Sequence, residues 1–151
     1  MTTQLHAAEA VLLGHPDKRC DAIADVLVQE ASRRDKRARC AVVVSVHQSA
    51  VFVAGRIACD GVEEIDVAAI VRATYASAGY GGAWGPDPAD LKMMLDLCRG
   101  PLPDETGAVA EDQAIVIGYA VDLPGTNHLP PERWLAGRCL LYTSPSPRDR
   151  G

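Results

Sequence analysis

From Pro16 to Arg34 the apolar residues Cys20, Ile23, Ala24, Leu27, Val28 and Ala31 return every three or four positions. That repeat lines them up on one face of an amphipathic helix. Arg33, Arg34, Lys36, Arg37 and Arg39, interrupted by Asp35, close the segment. Cations there complement the helix dipole, and the run reads as a solvated helix end rather than an anion-binding surface. Two β-rich runs follow. Cys40 to His47 and Ala50 to Ala58 are rich in valine and flank Gln48 and Ser49, which predicts a hairpin whose turn lacks the favoured glycine. A second helix is expected from about Asp66 to Ala78, with Val67, Ile70, Val71, Thr74 and Tyr75 on one face and Gly79 as its stop. Gly79 to Pro88 is rich in glycine and proline and reads as loop. Leu91 to Cys98 and Ala114 to Val121 read as further strands, joined by the flexible-looking segment Arg99 to Glu111. Alternating strands and helices predict an α+β fold, two layers of α/β type, with a mixed sheet carrying helices on one face.

Composition narrows the class of protein. Of 151 residues, 48% are hydrophobic and 23% charged, enough apolar surface for one folded domain. The net charge of −5 excludes a nucleic-acid partner, which would need clustered cations to displace counterions. Apolar runs are too short for a membrane span and the first residues lack the form of a signal peptide, so no membrane association and a cytoplasmic location are expected. The five cysteines contain no CxxC pair and the four histidines show no metal-ligand spacing, which suits reduced, mostly core thiols. Trp84 and Trp134 read as packing residues.

The chemistry concentrates at the start of the first helix, where Gly14-His15-Pro16-Asp17-Lys18 follows Glu9. Helix starts present unpaired N–H groups and the positive end of the dipole, and proline fits the first turn because its missing N–H is not needed there. Beside a phosphate, Asp17 could ligate Mg2+, His15 could hydrogen-bond a phosphoryl oxygen and Lys18 could add a point charge. The plainer reading has Asp17 capping the helix, His15 in a surface turn and Lys18 solvated.

Gly14 to Lys18, followed by Asp21, Ile23 and Asp25, resembles the GHPDKxxDxIxD signature of the S-adenosylmethionine synthetase (methionine adenosyltransferase) family. Phe52-Val53-Ala54-Gly55 resembles that family's hairpin strand, Ile65-Asp66 with Ile70-Val71-Arg72 its second helix, and Ala78-Gly79-Tyr80 its IGY. Asp112-Gln113 and Gly118-Tyr119-Ala120 resemble GAGDQG...GYA, and Leu129-Pro130 to Arg138 the proline-led helix that comes next. The resemblance implies strand, helix, strand, strand, helix, strand for residues 1–110 as an N-terminal domain, with residues 111–138 beginning a central domain. It implies a reaction in which the methionine sulfur attacks C5' of ATP and expels triphosphate, which is then hydrolysed to phosphate and pyrophosphate. By position His15 is implied to be catalytic and ATP-contacting, Lys18 phosphate-binding, Asp17 and Glu9 metal ligands, and Asp112 with Gln113 part of the adenosine and methionine pocket. Mg2+ and K+ are the implied cofactors, and ATP, L-methionine and a second copy in a homodimer or tetramer the implied partners.

Some positions depart from the pattern. Leu12-Leu13 replaces a polar pair, Val43 stands where the family binds K+ through a glutamate, and a valine side chain has no atom to offer a cation. Arg56 replaces a glutamate that meets the methionine amino group, reversing the charge; Pro101 replaces a methionine-contacting glutamine, and Val109 to Ala114 has lost three glycines. A Mg-nucleotide or phosphate-binding relative that transfers no adenosyl group, or one altered in substrate, is the alternative reading, and a purely structural α+β domain the third.

The final residues, Cys139 to Gly151, switch to serine, proline and arginine without periodicity, and CLLYTSPSPRD is similar to a translated sequencing adapter. They are expected not to continue the fold and not to belong to the natural protein. Sequencing the gene from independent genomic DNA checks this: a different sequence beyond about residue 138 is the expected result, and the same thirteen residues in frame would refute it.

Overall fold

The computed structural model describes residues 5–12, 14–82, 85–101, 115 and 117–143. They form helix α1 (Pro16–Arg34), strands β1 (Arg39–His47) and β2 (Ala50–Ala58), helix α2 (Val67–Ser77), strand β3 (Lys92–Gly100) and helix α3 (Pro131–Thr143), with short 3-10 turns at Val62–Glu64 and Pro88–Asp90. The chain divides into two compact units, Leu13–Val109 and a second made of Met1–Leu12 with Ala110–Gly151.

The larger unit holds a three-stranded sheet in the order β1-β2-β3, with β1 and β2 antiparallel and β2 and β3 parallel. Side chains alternate across a strand, so one face can be buried and the other wet. On the inner face Val51, Val53 and Ile57 of β2 pack with Ile23, Leu27 and Ala31 of α1 and Val67, Val71 and Tyr75 of α2. Each of the large aliphatic groups contributes roughly 1.5–3 kcal/mol by leaving water. On the outer face Val43, Phe52 and Met94 are exposed. The expected α+β fold, with a mixed sheet and helices on one face, is what the chain adopts.

Three local expectations are corrected. No strand precedes α1, because residues 5–12 carry no regular secondary structure. Nor do residues 115 and 117–121 form a strand, although Ile115, Ile117, Tyr119 and Val121 alternate as one would; the first three are exposed. A strand exists only with a partner ladder, and among the described residues neither segment has one. Helix α3 also runs through Thr143, five residues into the tail that was expected to lie outside the fold. Leu140 and Leu141 are good helix formers, and Pro145 stands just beyond the end.

The buried stripe of α1 is rotated from the one expected. Arg19, Ile23, Leu27 and Ala31 are buried at four-residue steps, whereas Val28 is exposed and Cys20 and Ala24 lie between. Arg19 carries no hydrophobic signal, which moved the apparent centre by one position. Within the basic run at the end of α1, Arg34 is tied into the fold while Arg33 and Arg37 stay largely exposed. Arg34 donates to Glu30 at 3.1 Å, to Glu64 at 2.6 Å and to the Gly61 carbonyl at 3.2 Å, and Arg33 lies 3.7 Å from Glu30. Asp66 caps α2 by accepting from the Ala69 amide at 2.9 Å, and Gly79, at φ +87, follows the last turn as expected. Gly55 is obligatory for another reason. At φ +126 a Cβ there would meet the Ala41 carbonyl oxygen at 2.1 Å, so only glycine lets β1 approach β2 at this point.

In the second unit α3 begins after a turn in which the Val121 amide donates to the His128 carbonyl at 3.0 Å and Thr126 is buried. Trp134 packs under the Arg138 guanidinium, 5.3 Å from its ring centre. Trp84 lies outside the described residues.

Two stability predictions come from these details. Gln48, in the hairpin turn, has φ +51, a region that costs an L-residue roughly 1–2 kcal/mol; Gln48→Gly is expected to raise stability in urea by about 1 kcal/mol after the added freedom of the unfolded chain is subtracted. Burial raises the thiol pKa of Cys40 and Cys59. A proton held more tightly in the folded chain gives stability that is complete below the unfolded thiol pKa of about 8.5 and is lost as pH rises through the raised value. The urea midpoint should therefore fall between pH 8 and pH 10 by less in a Cys40→Ala, Cys59→Ala chain than in the parent, and equal losses would show that the thiols do not carry it.

Candidate functional site

Helix α1 opens at His15, whose φ of −62 and ψ of 142 place it just outside the helix. Pro16 follows with its ring in the first turn, where a preset φ favours the helix and no amide is missed. The imidazole Nδ1 accepts a hydrogen bond from the Asp17 amide at 3.3 Å. Histidine, not Asp17, is therefore the capping residue. Nδ1 also lies 3.7 Å from the Asp17 carboxylate. One nitrogen cannot accept from the amide and donate to the carboxylate together, and the shorter capping contact decides the tautomer. In the neutral ring Nδ1 then keeps its lone pair for the backbone and Nε2 carries the proton.

Asp17 projects into water, with 85% of its side chain exposed. Lys18 is half exposed and lies 3.9 Å from Asp21, one turn along the helix. The fold thus brings together a partly exposed imidazole, an exposed carboxylate and the positive end of a 19-residue helix. Such an arrangement can bind phosphate oxygens and a cation bridging them. Among the described residues no group of three or more histidine, cysteine, aspartate or glutamate side chains could hold a metal by itself. The donor set suits Mg2+, which commonly takes one or two carboxylates and completes its shell with water and substrate phosphate.

Glu9 belongs to the other unit, where its side chain is exposed and its carbonyl accepts from Arg133. In the same unit His6 lies 3.7 Å from Glu132. Asp112 and Gln113 lie outside the described residues, as do most of Arg99 to Glu111. Val43 sits on the outer face of β1 with its side chain exposed. Arg56 is its neighbour on β2, opposite Ala41 on one side and Cys98 on the other. These three, with Gly55, Arg99 and Gly100, line an open depression of about 510 Å³.

The sequence reading missed the support beneath the helix start. Tyr80, in the loop after α2, donates its hydroxyl to the Gly14 carbonyl at 2.7 Å, and Arg19 lies between Tyr75 and Tyr80. A signal was present. Arg19 falls on the same four-residue register as Ile23, Leu27 and Ala31, and a charge on an apolar stripe asks for an explanation.

Residues 3–97 match the family described as S-adenosylmethionine synthetase, N-terminal domain. The S-adenosylmethionine synthase of Thermus thermophilus is 33% identical over 138 residues, covering 79% of this chain and 34% of that protein. That of Borreliella afzelii is 32% identical over 151 residues, covering 93% of this chain and 38% of that protein. A solved structure, that of an unusual S-adenosylmethionine synthetase from Campylobacter jejuni, superposes with a TM-score of 0.60 at 29% identity, over 69% of this chain and 28% of that one. The chain spans little more than a third of the length of the curated relatives it matches. With the family's domain matched across the sheet and both of the helices that cover it, this chain belongs to the S-adenosylmethionine synthetase family.

Proposed function

We propose that this chain supplies the phosphate-and-metal end of a methionine adenosyltransferase, which converts ATP, L-methionine and water to S-adenosylmethionine, phosphate and pyrophosphate. The observation that carries the reading is the helix start, where the Asp17 amide caps onto Nδ1 of the partly exposed His15 imidazole and the Asp17 carboxylate stands exposed beside it, which leaves Nε2 as the nitrogen available to donate. In this role Nε2–H of His15 donates to a phosphoryl oxygen as negative charge grows on the departing triphosphate. A preorganised donor at that point stabilises the transition state more than the ground state. Asp17 holds Mg2+ against the phosphates, and Lys18, released from its weak exposed contact with Asp21, adds positive charge. Glu9 is the second proposed metal ligand, and Asp112 with Gln113 the proposed wall of the adenosine and methionine pocket. Bound Mg2+ would supply charge neutralisation to the leaving group.

K+ fits less well. Val43 offers no ligand where the family pattern has a carboxylate, so this reading carries Mg2+ without K+ dependence. ATP and methionine are the proposed substrates, and the assembly is a homodimer or tetramer. A cytoplasmic location accords with the absence, among the described residues, of any helix long and apolar enough to cross a membrane. The division into an N-terminal domain to residue 110, the beginning of a central domain at 111–138 and a foreign tail remains part of the same proposal.

One observation favours a second reading. Arg56 places a cation on the open face beside Cys98, where the synthetase pattern has a carboxylate for an ammonium group. Two positive charges repel, so a Mg-nucleotide-binding relative with an altered second substrate accounts for this position better.

The decisive assay is adenosyl transfer from ATP to methionine by the full-length gene product that carries this segment. His15→Ala is expected to lower kcat by roughly two to three decades with little change in substrate binding. Asp17→Asn should weaken apparent Mg2+ and ATP affinity as well as rate, and added K+ should leave the rate nearly unchanged. Unaltered turnover in His15→Ala would remove it from the chemistry. Binding of Mg2+–ATP without any transfer would select the second reading.

A further inference from the structure

Among the described residues Arg19 is a buried charge without a carboxylate partner. Only 6% of its surface is exposed, and its Nε and Nη1 atoms are buried with no hydrogen-bond partner. Burying an unpaired guanidinium is costly, and an aliphatic residue would continue the stripe of Ile23, Leu27 and Ala31 without that cost. Its surroundings are aromatic. The guanidinium carbon lies 4.9 Å from the centre of the Tyr75 ring and 4.6 Å from that of Tyr80, and the two rings are 5.3 Å apart at 58°. A cation within about 6 Å of a ring face is attracted to it, most strongly where water is excluded.

The consequence appears at the far end of Tyr80. Its hydroxyl donates to the Gly14 carbonyl at 2.7 Å, across 66 positions of sequence. The Arg19 amide in turn donates to the His15 carbonyl at 3.0 Å, the first hydrogen bond of α1. Residue 19 thus reaches the helix start twice, once through its backbone and once through the ring it stacks on.

We propose that Arg19 is a positioning residue whose guanidinium, held between Tyr75 and Tyr80, fixes the Tyr80 hydroxyl on Gly14 and so sets the turn that presents His15 and Asp17. Its geometry stands independently; its importance for phosphate binding rests on the function proposed above. A solely structural role predicts something different. Replacing a buried unpaired ion by an apolar side chain of similar volume is often neutral or stabilising, so Arg19→Met would then leave the turn as it is.

The test uses the 151-residue chain with Tyr80→Phe, Arg19→Met and Arg19→Lys. The imidazole nitrogen resonances of His15 report whether Nδ1 still accepts from the Asp17 amide, and calorimetry reports affinity for Mg2+–tripolyphosphate. Tyr80→Phe removes one oxygen and Arg19→Met keeps the volume, so melting temperature serves as the control for folding. In both variants the His15 nitrogens are expected to shift toward a mixture of tautomers and tripolyphosphate affinity to fall about threefold to tenfold, the scale of one lost neutral hydrogen bond. The shift should occur even if Arg19→Met melts higher, and Arg19→Lys should recover part of it by returning a cation to the rings. Unchanged His15 resonances in both Tyr80→Phe and Arg19→Met would overturn the proposal. Failure of the parent chain to bind tripolyphosphate would overturn the phosphate reading alone, since the His15 spectra decide the positioning role without it.

Discussion

Strand β2 lies in the middle of a sheet only three strands wide, antiparallel to one neighbour and parallel to the other. Everything packed in the larger unit depends on its inner face. Val51, Val53 and Ile57 can be dried only by elements laid across that side, and α1 and α2 are those elements. Because neither helix is amphipathic enough to be stable alone without such a surface, sheet and helices stabilise one another. The requirement for close approach explains why Gly55 stands on this strand, where any side chain would strike the backbone of β1.

Packing of α1 against β2 also determines where the helix begins and which way it points. Its axis is set by Ile23, Leu27 and Ala31, and its buried stripe ends at Arg19, directly beneath the turn at Gly14 to Asp17. The proposed site thus falls on the exposed first turn of a helix whose buried stripe is locked into the core. The arrangement separates precision from accessibility: the backbone is fixed from below, while the Asp17 carboxylate stays in water. The His15 imidazole contributes to both, capping the helix with one nitrogen and leaving the other free.

The outer face of the sheet follows a different logic. Val43, Phe52 and Met94 remain exposed there, and Arg56 occupies the position at which the family pattern has a carboxylate. Two of the departures from the family pattern, Val43 and Arg56, thus fall on the strands of this sheet, while the helix start keeps its histidine, proline, aspartate and lysine.

The sequence by itself determined the parts governed by local periodicity. The helix from Pro16 to Arg34, the hairpin around Gln48 and Ser49, the second helix with its Gly79 stop, and the cluster at His15 and Asp17 could all be read from spacing and motif. Tertiary structure decided the rest. Ile115, Ile117 and Tyr119 alternate like a strand, yet alternation without a partner ladder makes none. Arg19 could be seen as a charge on an apolar stripe, but its role depends on Tyr75 and Tyr80, more than fifty positions away. Which imidazole nitrogen of His15 is free was likewise fixed only when the Asp17 amide met the other. Helical and strand periods are written in neighbouring residues, whereas cation–π stacking, sheet pairing and a hydroxyl reaching across 66 positions exist only once the folded chain brings distant groups within a few ångströms of one another.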